Sequence, residues 1–160
     1  MAEQKTNVLR LLDQKKIPYE THAYPHDGEP VDGLTAAARI GRDPAVVFKT
    51  LAARGASRTC YVFVIPVGAE LDLKKAARSV GEKSVAMLPL AELTAMTGYV
   101  RGGCSPIGMK KNYQTVVDQS AASLPTVIVS AGKIGLQIEL RPEDLLALTR
   151  GSFDALTIEG

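Results

Sequence analysis

The sequence predicts an α+β fold, in which a single domain holds one curved sheet, mixed or antiparallel, flanked by helices. Short β-branched and aromatic segments occur at hairpin spacing among helical segments, which is typical of this class. The 160 residues are enough for one sizeable core. No repeat, low-complexity segment or linker divides them, so we expect one domain over residues 1–160.

The first half of the chain predicts two helices, a further helix start and three strands. Thr6 caps a helix over residues 7–16, which has one apolar face and which Pro18 stops. Alternation predicts a half-buried strand at 19–24, and an alanine-rich helix over 34–40 ends at Gly41. Asp43 and Pro44 mark a further helix start. Strands follow at 47–51 and 59–66, separated by a turn at 54–57, and the hydrophobic second strand is expected to be central.

The second half continues the alternation. An amphipathic helix over residues 73–80 ends at Gly81, and a helix over 89–97 follows a short strand at 84–88 and ends at Gly98. Residues 99–111 read as a loop. Three strands follow at 114–118, 126–130 and 136–140, and a tight turn at 131–135 joins the last two. Pro142 starts a helix over 142–149, and residues 153–158 are expected to add an edge strand.

The composition is that of an ordinary globular chain, with 46% hydrophobic and 22% charged residues. The net charge of +2 predicts no strong affinity for polyanions, although a local basic face remains open. Two cysteines, Cys60 and Cys104, argue against a disulfide framework and suit a reducing cytosol. The N-terminus lacks a signal-peptide core and no apolar run is long enough to span a membrane, so we expect a cytoplasmic protein.

One lysine within a hydrophobic strand is the first candidate functional residue. Lys49 follows Phe48 and precedes Leu51 in the predicted strand at 47–51. The local pattern alone favours a strand lysine that points to solvent. The alternative is a cation at the wall of a pocket, where it can meet a phosphate or a developing oxyanion.

Two glycine-rich loops, residues 102–108 and 130–135, are the second candidate. The first resembles a phosphate-binding loop, but Met109 stands where that loop needs a lysine, and no GxGxxG segment follows a strand. Turn chemistry explains each loop alone. The alternative is that backbone groups left open by missing side chains, with the Ser105 and Ser130 hydroxyls, recognise a small polar ligand.

Other catalytic and metal-binding patterns are poorly supported. His22 and His26 lie in a strand and a loop without carboxylate or thiolate support, so we expect neither a metal nor a cofactor. Cys104 lies near Arg101 in a glycine loop and is a candidate reactive thiol. The sequence places no histidine or aspartate to activate it.

Several segments, taken in order, carry a resemblance that covers nearly the whole chain. They are Tyr24 with His26 and Asp27, residues 47–51, 66–67, 71–75, 97–99, 102–108 and 130–133. In this order they resemble the YbaK family of bacterial Cys-tRNA(Pro) deacylases and the wider group of editing domains associated with prolyl-tRNA synthetase. The resemblance favours the functional interpretation of Lys49.

The resemblance implies a cytosolic trans-editing hydrolase that deacylates mischarged Cys-tRNA(Pro). It implies that Lys49 is the main functional residue and that the substrate's own thiol, rather than a protein nucleophile, attacks the ester and leaves as a cyclic thiolactone. The residues that it implies for substrate binding are Tyr24, Phe48, Gly102, Gly103, Ser105, Pro106, Ser130, Gly132 and Gln137. The implied partner is the acceptor end of tRNA(Pro), with prolyl-tRNA synthetase as a further candidate.

Four positions depart from the pattern of YbaK-like relatives. Gln137 stands where they carry an aspartate, Ala131 replaces a glycine, Cys104 replaces an aliphatic residue or threonine, and Asp32 stands where an aromatic residue is common. Each departure can change which amino acid is accepted. Two alternatives therefore stay open: an Ala-tRNA(Pro) editing deacylase, and a non-catalytic module that binds a tRNA end or a synthetase.

Overall fold

The structure, a computed structural model, describes residues 6–158. The α-helices are α1 Asn7–Gln14, α2 Gly33–Arg39, α3 Leu73–Val80, α4 Leu90–Thr97 and α5 Pro142–Thr149. The strands are β1 Glu20–Ala23, β2 Phe48–Gly55, β3 Cys60–Pro66, β4 Val85–Met87, β5 Gln114–Asp118, β6 Val127–Lys133, β7 Leu136–Leu140 and β8 Ser152–Asp154. Short 3-10 helices cover Pro44–Val46 and Gln119–Ser123.

The strands form two sheets, which confirms the α+β class but replaces the predicted single curved sheet. The larger has the order β4-β2-β3-β5-β8; β2 pairs antiparallel with β3 and β4, and β5 pairs parallel with β3 and β8. The smaller is antiparallel, with the order β1-β7-β6. A parallel bridge between Val47 and Ile128 connects the two where β2 begins.

Strand β3 is central in the larger sheet, as its hydrophobicity predicts, and both of its faces are buried. Val62 and Val64 pack into a core cluster shared with α1, α5 and the smaller sheet. Phe63 and Ile65 alternate with them and pack into a second cluster beneath α3. A strand buried on both faces needs a continuous apolar run rather than an alternating one.

Two predicted strand ends are wrong because pairing extends the strands. β2 continues to Gly55, so the turn predicted at 54–57 starts later, with Arg58 at φ 73°. β6 continues to Lys133, so the turn predicted at 131–135 is confined to residues 134–135, and the pairing is irregular between Ser130 and Lys133. The register Arg54↔Cys60 shows that cross-strand partners, which local sequence does not reveal, set the end of β2.

Predicted helix starts and stops agree more closely with the structure. The Thr6 hydroxyl accepts from the Leu9 amide, and the Asp43 carboxylate caps the 3-10 turn that follows it. α1 ends at Gln14, two residues before the prediction. β8 occupies only the start of the predicted 153–158 strand, at the edge of the larger sheet. None of the helices within residues 6–158 is long and apolar enough to cross a bilayer.

Candidate active site

A cavity of about 610 Å³ lies where α2, β2, the loop at 101–104 and the facing strands β6 and β7 meet. Its lining residues are Tyr24, Pro30, Val31, Asp32, Gly33, Ala36, Phe48, Lys49, Thr50, Leu51, Val67, Arg101, Gly102, Cys104, Ser130 and Gln137. Apolar walls with a few polar groups are typical of small-ligand sites. The wall combines segments that are far apart in the chain, so only the folded protein forms it.

Lys49 lies in this wall, near the start of β2. Its backbone pairs with Ile65 of β3, while the neighbouring Phe48 is buried in the core with 2% exposure. The Lys49 side chain is half-buried, and within residues 6–158 no carboxylate lies within ion-pair distance of it. An ammonium on a strand with packed neighbours, facing a cavity and lacking a protein counter-ion, is suited to bind an anionic or oxyanionic group.

Six of the ten predicted site residues line this cavity. They are Tyr24, Phe48, Lys49, Gly102, Ser130 and Gln137. The register Ser130↔Gln137 places two of them opposite each other on β6 and β7. Tyr24 follows β1, and its amide donates to the Gly135 carbonyl at 2.9 Å, which holds it against the turn between β6 and β7.

The structure places the other four predicted residues away from the cavity wall. A side chain at Gly103 would put its Cβ 3.0 Å from the backbone of Lys133 and Ile134. Gly132 lies against Tyr99 and donates its amide to the Ser130 hydroxyl at 3.2 Å. The two glycine loops therefore pack against each other, and their missing side chains make room for protein contacts at these positions.

Ser105 and Pro106 belong to the loop at 102–108 and do not line the cavity of about 610 Å³. The Ser105 hydroxyl is fully buried and accepts from the Ile107 amide at 3.2 Å. Pro106 lines a separate cavity of about 240 Å³, bounded by α1, α5 and residues 106–113. Tyr99 donates to the Ile107 carbonyl at 2.5 Å and so fixes the loop from the other side.

Two buried polar atoms of residues that line the cavity have no hydrogen-bond partner within the described chain. They are the Thr50 hydroxyl oxygen and the Gln137 amide oxygen Oε1. Gln137 is 8% exposed. Leaving a buried polar atom unpaired costs about 1–3 kcal/mol, so native proteins contain few of them. Both oxygens are therefore acceptors that the described protein leaves unsatisfied.

Several lining residues are not among the ten predicted site residues. Thr50 and Val67 lie in the segments 47–51 and 66–67 that carry the resemblance, without a predicted role of their own, and Ala36 reads as an ordinary core residue. Asp32 and Gly33 carry a local signal, since a capping residue followed by glycine marks the start of α2. That signal predicts a helix end but does not show that the end borders a cavity.

Cys104 lines the cavity, but its environment does not activate it. Burial raises the pKa of the Cys104 thiol to about 11, although Thr97 acts in the opposite direction. The thiol therefore stays protonated at neutral pH, and the thiolate is the nucleophilic form. Neither histidine supplies a base, since His22 bonds to Glu139 and the His26 Nδ1 accepts from the Gly28 amide.

A charged network on the smaller sheet adjoins the cavity. Arg42 donates to both oxygens of Glu139, at 2.6 and 3.0 Å, and Thr126 and His22 also contact that carboxylate. The Arg42 guanidinium is the largest cause that lowers the pKa of Glu139 to about 2. Glu139 lies two residues after Gln137 on β7, so this network fixes the strand that supplies a cavity wall.

The same network contains nitrogen and oxygen atoms of the kinds that bind metal ions. Atoms of Glu20, His22 and Glu139 lie within 4.8 Å of each other. A cation there would have to displace Arg42, which already holds both Glu139 oxygens. The arrangement is therefore explained as an ion pair that links the chain after α2 to β7.

Comparisons with known proteins converge on one family. The aminoacyl-tRNA editing domain family matches residues 29–148. A curated relative from Enterococcus faecalis, EbsC, provisionally named a Cys-tRNA(Pro)/Cys-tRNA(Cys) deacylase, is 45% identical over 156 residues, which are 98% of this chain and 95% of the relative.

Solved structures share the fold. One, provisionally described as a trans-editing enzyme for prolyl-tRNA synthetase, aligns with a TM-score of 0.81 at 22% identity, over 98% of this chain and 100% of that one. A hypothetical protein aligns with a TM-score of 0.85 at 22% identity, over 96% of this chain and 100% of that one. At this identity, the two structures support the fold alone.

Proposed function

The chain belongs to the aminoacyl-tRNA editing domain family, and from that membership we propose that it deacylates mischarged Cys-tRNA(Pro) in trans. The family assignment confirms the resemblance of the ordered motifs. The observation that carries the proposal is the cavity of about 610 Å³, in whose wall Lys49 has no carboxylate of residues 6–158 within ion-pair distance. Such a cavity suits an aminoacyl ester better than it suits a protein segment.

Lys49 is the residue that we assign to catalysis. Its ammonium contacts the terminal phosphate or ribose of the tRNA and holds the ester in place. Arg101 lies in the same wall and adds a second cation. Fixed charges in a partly dry site stabilise developing negative charge strongly, because they need no reorganisation during the reaction. The remaining binding residues are proposed from the cavity wall: Tyr24, Phe48, Gly102, Ser130 and Gln137.

The substrate supplies the nucleophile in this proposal. Within the described chain, neither histidine is hydrogen-bonded to a serine, threonine or cysteine side chain, and the Cys104 thiol is protonated. The cysteinyl thiolate attacks its own ester carbonyl, a C–S bond forms, the bond to the ribose oxygen breaks and that oxygen takes up a proton. The amino acid leaves as a thiolactone. Positioning of the two reacting groups then supplies much of the rate.

The discriminating experiment is a deacylation panel on tRNA(Pro) charged with cysteine, serine, alanine or proline. We expect Cys-tRNA(Pro) to be cleaved fastest and Pro-tRNA(Pro) to be left nearly intact. Serine is the decisive control because it differs by one atom, and size alone discriminates by only about 1–3 kcal/mol. Equal cleavage of the serine and cysteine esters would exclude the thiol mechanism. Preferential cleavage of alanine would place the chain in the alanine-editing branch.

The tRNA body is a further test of the same mechanism. The chemistry involves only the 3′ end, so we expect Cys-tRNA(Cys) to be cleaved as well, in line with the name of the Enterococcus relative. Strong preference for tRNA(Pro) would mean that acceptor-stem contacts or prolyl-tRNA synthetase select the substrate. Adding the synthetase to the assay separates these two explanations.

A basic surface near the glycine loops supports docking of the tRNA backbone. Arg101 lines the cavity, and Lys110, Lys111 and Lys133 are exposed on or beside the two loops. Lys110 donates to the Ala95 carbonyl at 3.4 Å and Lys75 on α3 to the Thr157 carbonyl at 2.8 Å, so these two lysines are weaker candidates. Phosphate contacts release counter-ions, and binding should weaken as salt is raised. Tight binding that is unchanged between dilute and physiological salt would exclude this surface.

A further inference from the structure

The charged residues of the cavity wall are mostly cations, which affects how the substrate's amino group can bind. Among the described residues that line the cavity, Lys49 and Arg101 are cations and Asp32 carries the one carboxylate. Gln137 also lines the cavity but is neutral and adds no charge. An aminoacyl ester brings a cationic α-ammonium group into a site whose other charges repel it. Asp32 alone in this wall can offset that charge.

The local structure holds Asp32 firmly at the rim. Its side chain caps α2, with Oδ1 accepting from the Thr35 amide and Oδ2 from the Thr35 hydroxyl, both at 2.9 Å. The next residue must be small, because a Cβ at Gly33 would lie 2.5 Å from Val67 Cγ1. The start of α2 therefore packs against Val67, another residue of the cavity wall, and Asp32 is placed at its edge.

The Asp32 carboxylate retains the capacity to bind a ligand. The Thr35 amide and hydroxyl lower the pKa of Asp32, so it is ionised at neutral pH. A carboxylate offers about four acceptor positions, and the Thr35 contacts occupy two of them. No cation within residues 6–158 forms an ion pair with it. The residue is also exposed, which leaves it accessible to a substrate.

We propose that Asp32 is a specificity-determining residue whose carboxylate binds the α-ammonium group of the aminoacyl ester. The inference rests on the proposed deacylase function and deepens it. The observation behind it is the charge of the cavity wall, in which Asp32 is the one anion among the described lining residues and Lys49 and Arg101 are the cations. This assignment makes the enzyme selective for esters with a free amino group over esters that lack one.

Asp32→Asn is a suitable test because it removes the charge and keeps the cap. Asparagine and aspartate are about equally good N-cap residues, so the melting temperature should change little. Asp43→Asn is the matched control, since Asp43 also caps a short helix but does not line the cavity. Two substrates complete the design: Cys-tRNA(Pro) and 3-mercaptopropionyl-tRNA(Pro), which has the same thiol and ester but no amino group.

The wild-type protein should prefer the substrate with the amino group, and Asp32→Asn should reduce that preference by about tenfold or more. The loss should appear mainly in KM, because the ammonium is present in both the ground state and the transition state. Asp43→Asn should behave as the wild type. Equal losses on both substrates, or no loss on either, would overturn the assignment of Asp32.

The same experiment separates the inference from the function on which it rests. If the wild type cleaves both substrates at the same rate, the deacylase proposal stands and Asp32 has no role in selecting the amino group. If the wild type cleaves neither, the proposed function fails, and the assignment of Asp32 fails with it.

Discussion

Replacing Glu139 by glutamine should change how the stability of the protein depends on pH. Glu139 is 9% exposed and accepts from both ends of the Arg42 guanidinium. Its pKa is lowered from 4.5 to about 2. Each unit corresponds to 1.36 kcal/mol, so the charged carboxylate contributes about 3 kcal/mol to the free energy of unfolding at pH 7.

The direction of the pH effect follows from the lowered pKa. A carboxyl group that holds its proton less tightly when folded stabilises the protein above its unfolded pKa of about 4.5. That stabilisation is lost as the pH falls from about 4.5 to about 2. At pH 3 about 1 kcal/mol should remain. Glu139→Gln should therefore be about 3 kcal/mol less stable than the wild type at pH 7 and nearly as stable at pH 2.

Urea unfolding followed by circular dichroism at pH 7, 5, 4, 3 and 2 measures this difference directly. Glu143→Gln is the control, because Glu143 is exposed in the first turn of α5. It should remain within about 0.5 kcal/mol of the wild type at every pH. A Glu139→Gln protein as stable as the wild type at pH 7, or a difference that does not shrink on acidification, would refute the reasoning.

Two further predictions concern the loop at 102–108. Gly103→Ala should lower the free energy of unfolding by about 1–3 kcal/mol, because its Cβ would press on the backbone of Lys133 and Ile134. Gly68→Ala, whose Cβ would make only an ordinary 3.5 Å contact, should be nearly neutral in the same urea titration; equal effects would contradict the tight packing of the loops. In the folded protein at pH 8, a thiol reagent should modify Cys104 much more slowly than the partly exposed Cys60, since the Cys104 pKa is about 11. Rapid modification of both thiols would show that Cys104 is not held as this structure places it.

Local sequence signals predicted most elements of the fold because their causes are local. Capping by Thr6 and Asp43 and the left-handed glycines Gly81 and Gly98 set helix ends through neighbouring residues only. The division into two sheets depends on the pairing of β1 with β7, which includes the contact between His22 and Glu139, separated by 117 residues. No local pattern specifies a partner so distant.

The candidate site, too, is only partly predictable from local sequence patterns. Lys49 and Gln137 could be predicted to share a site only through the family resemblance, and the structure brings both to one cavity. For the glycine loops the residues alone left turn chemistry and ligand recognition open, because a glycine shows that a side chain is missing but not what fills the space. At Gly103 and Gly132 protein atoms fill it. The sequence marks Asp32 as a departure that can change the accepted amino acid, but its local pattern, a helix cap, does not show that it borders the cavity.

The central claim is that a cation in this cavity drives cleavage of the aminoacyl ester. The rate of Cys-tRNA(Pro) deacylation by Lys49→Ala, measured in single turnover beside the wild type, tests it most directly. We predict a loss on the order of a hundredfold or more, the scale seen when one charge-stabilising donor is removed, with little change in circular dichroism or melting temperature. Turnover at the wild-type rate by the folded Lys49→Ala protein would contradict the account.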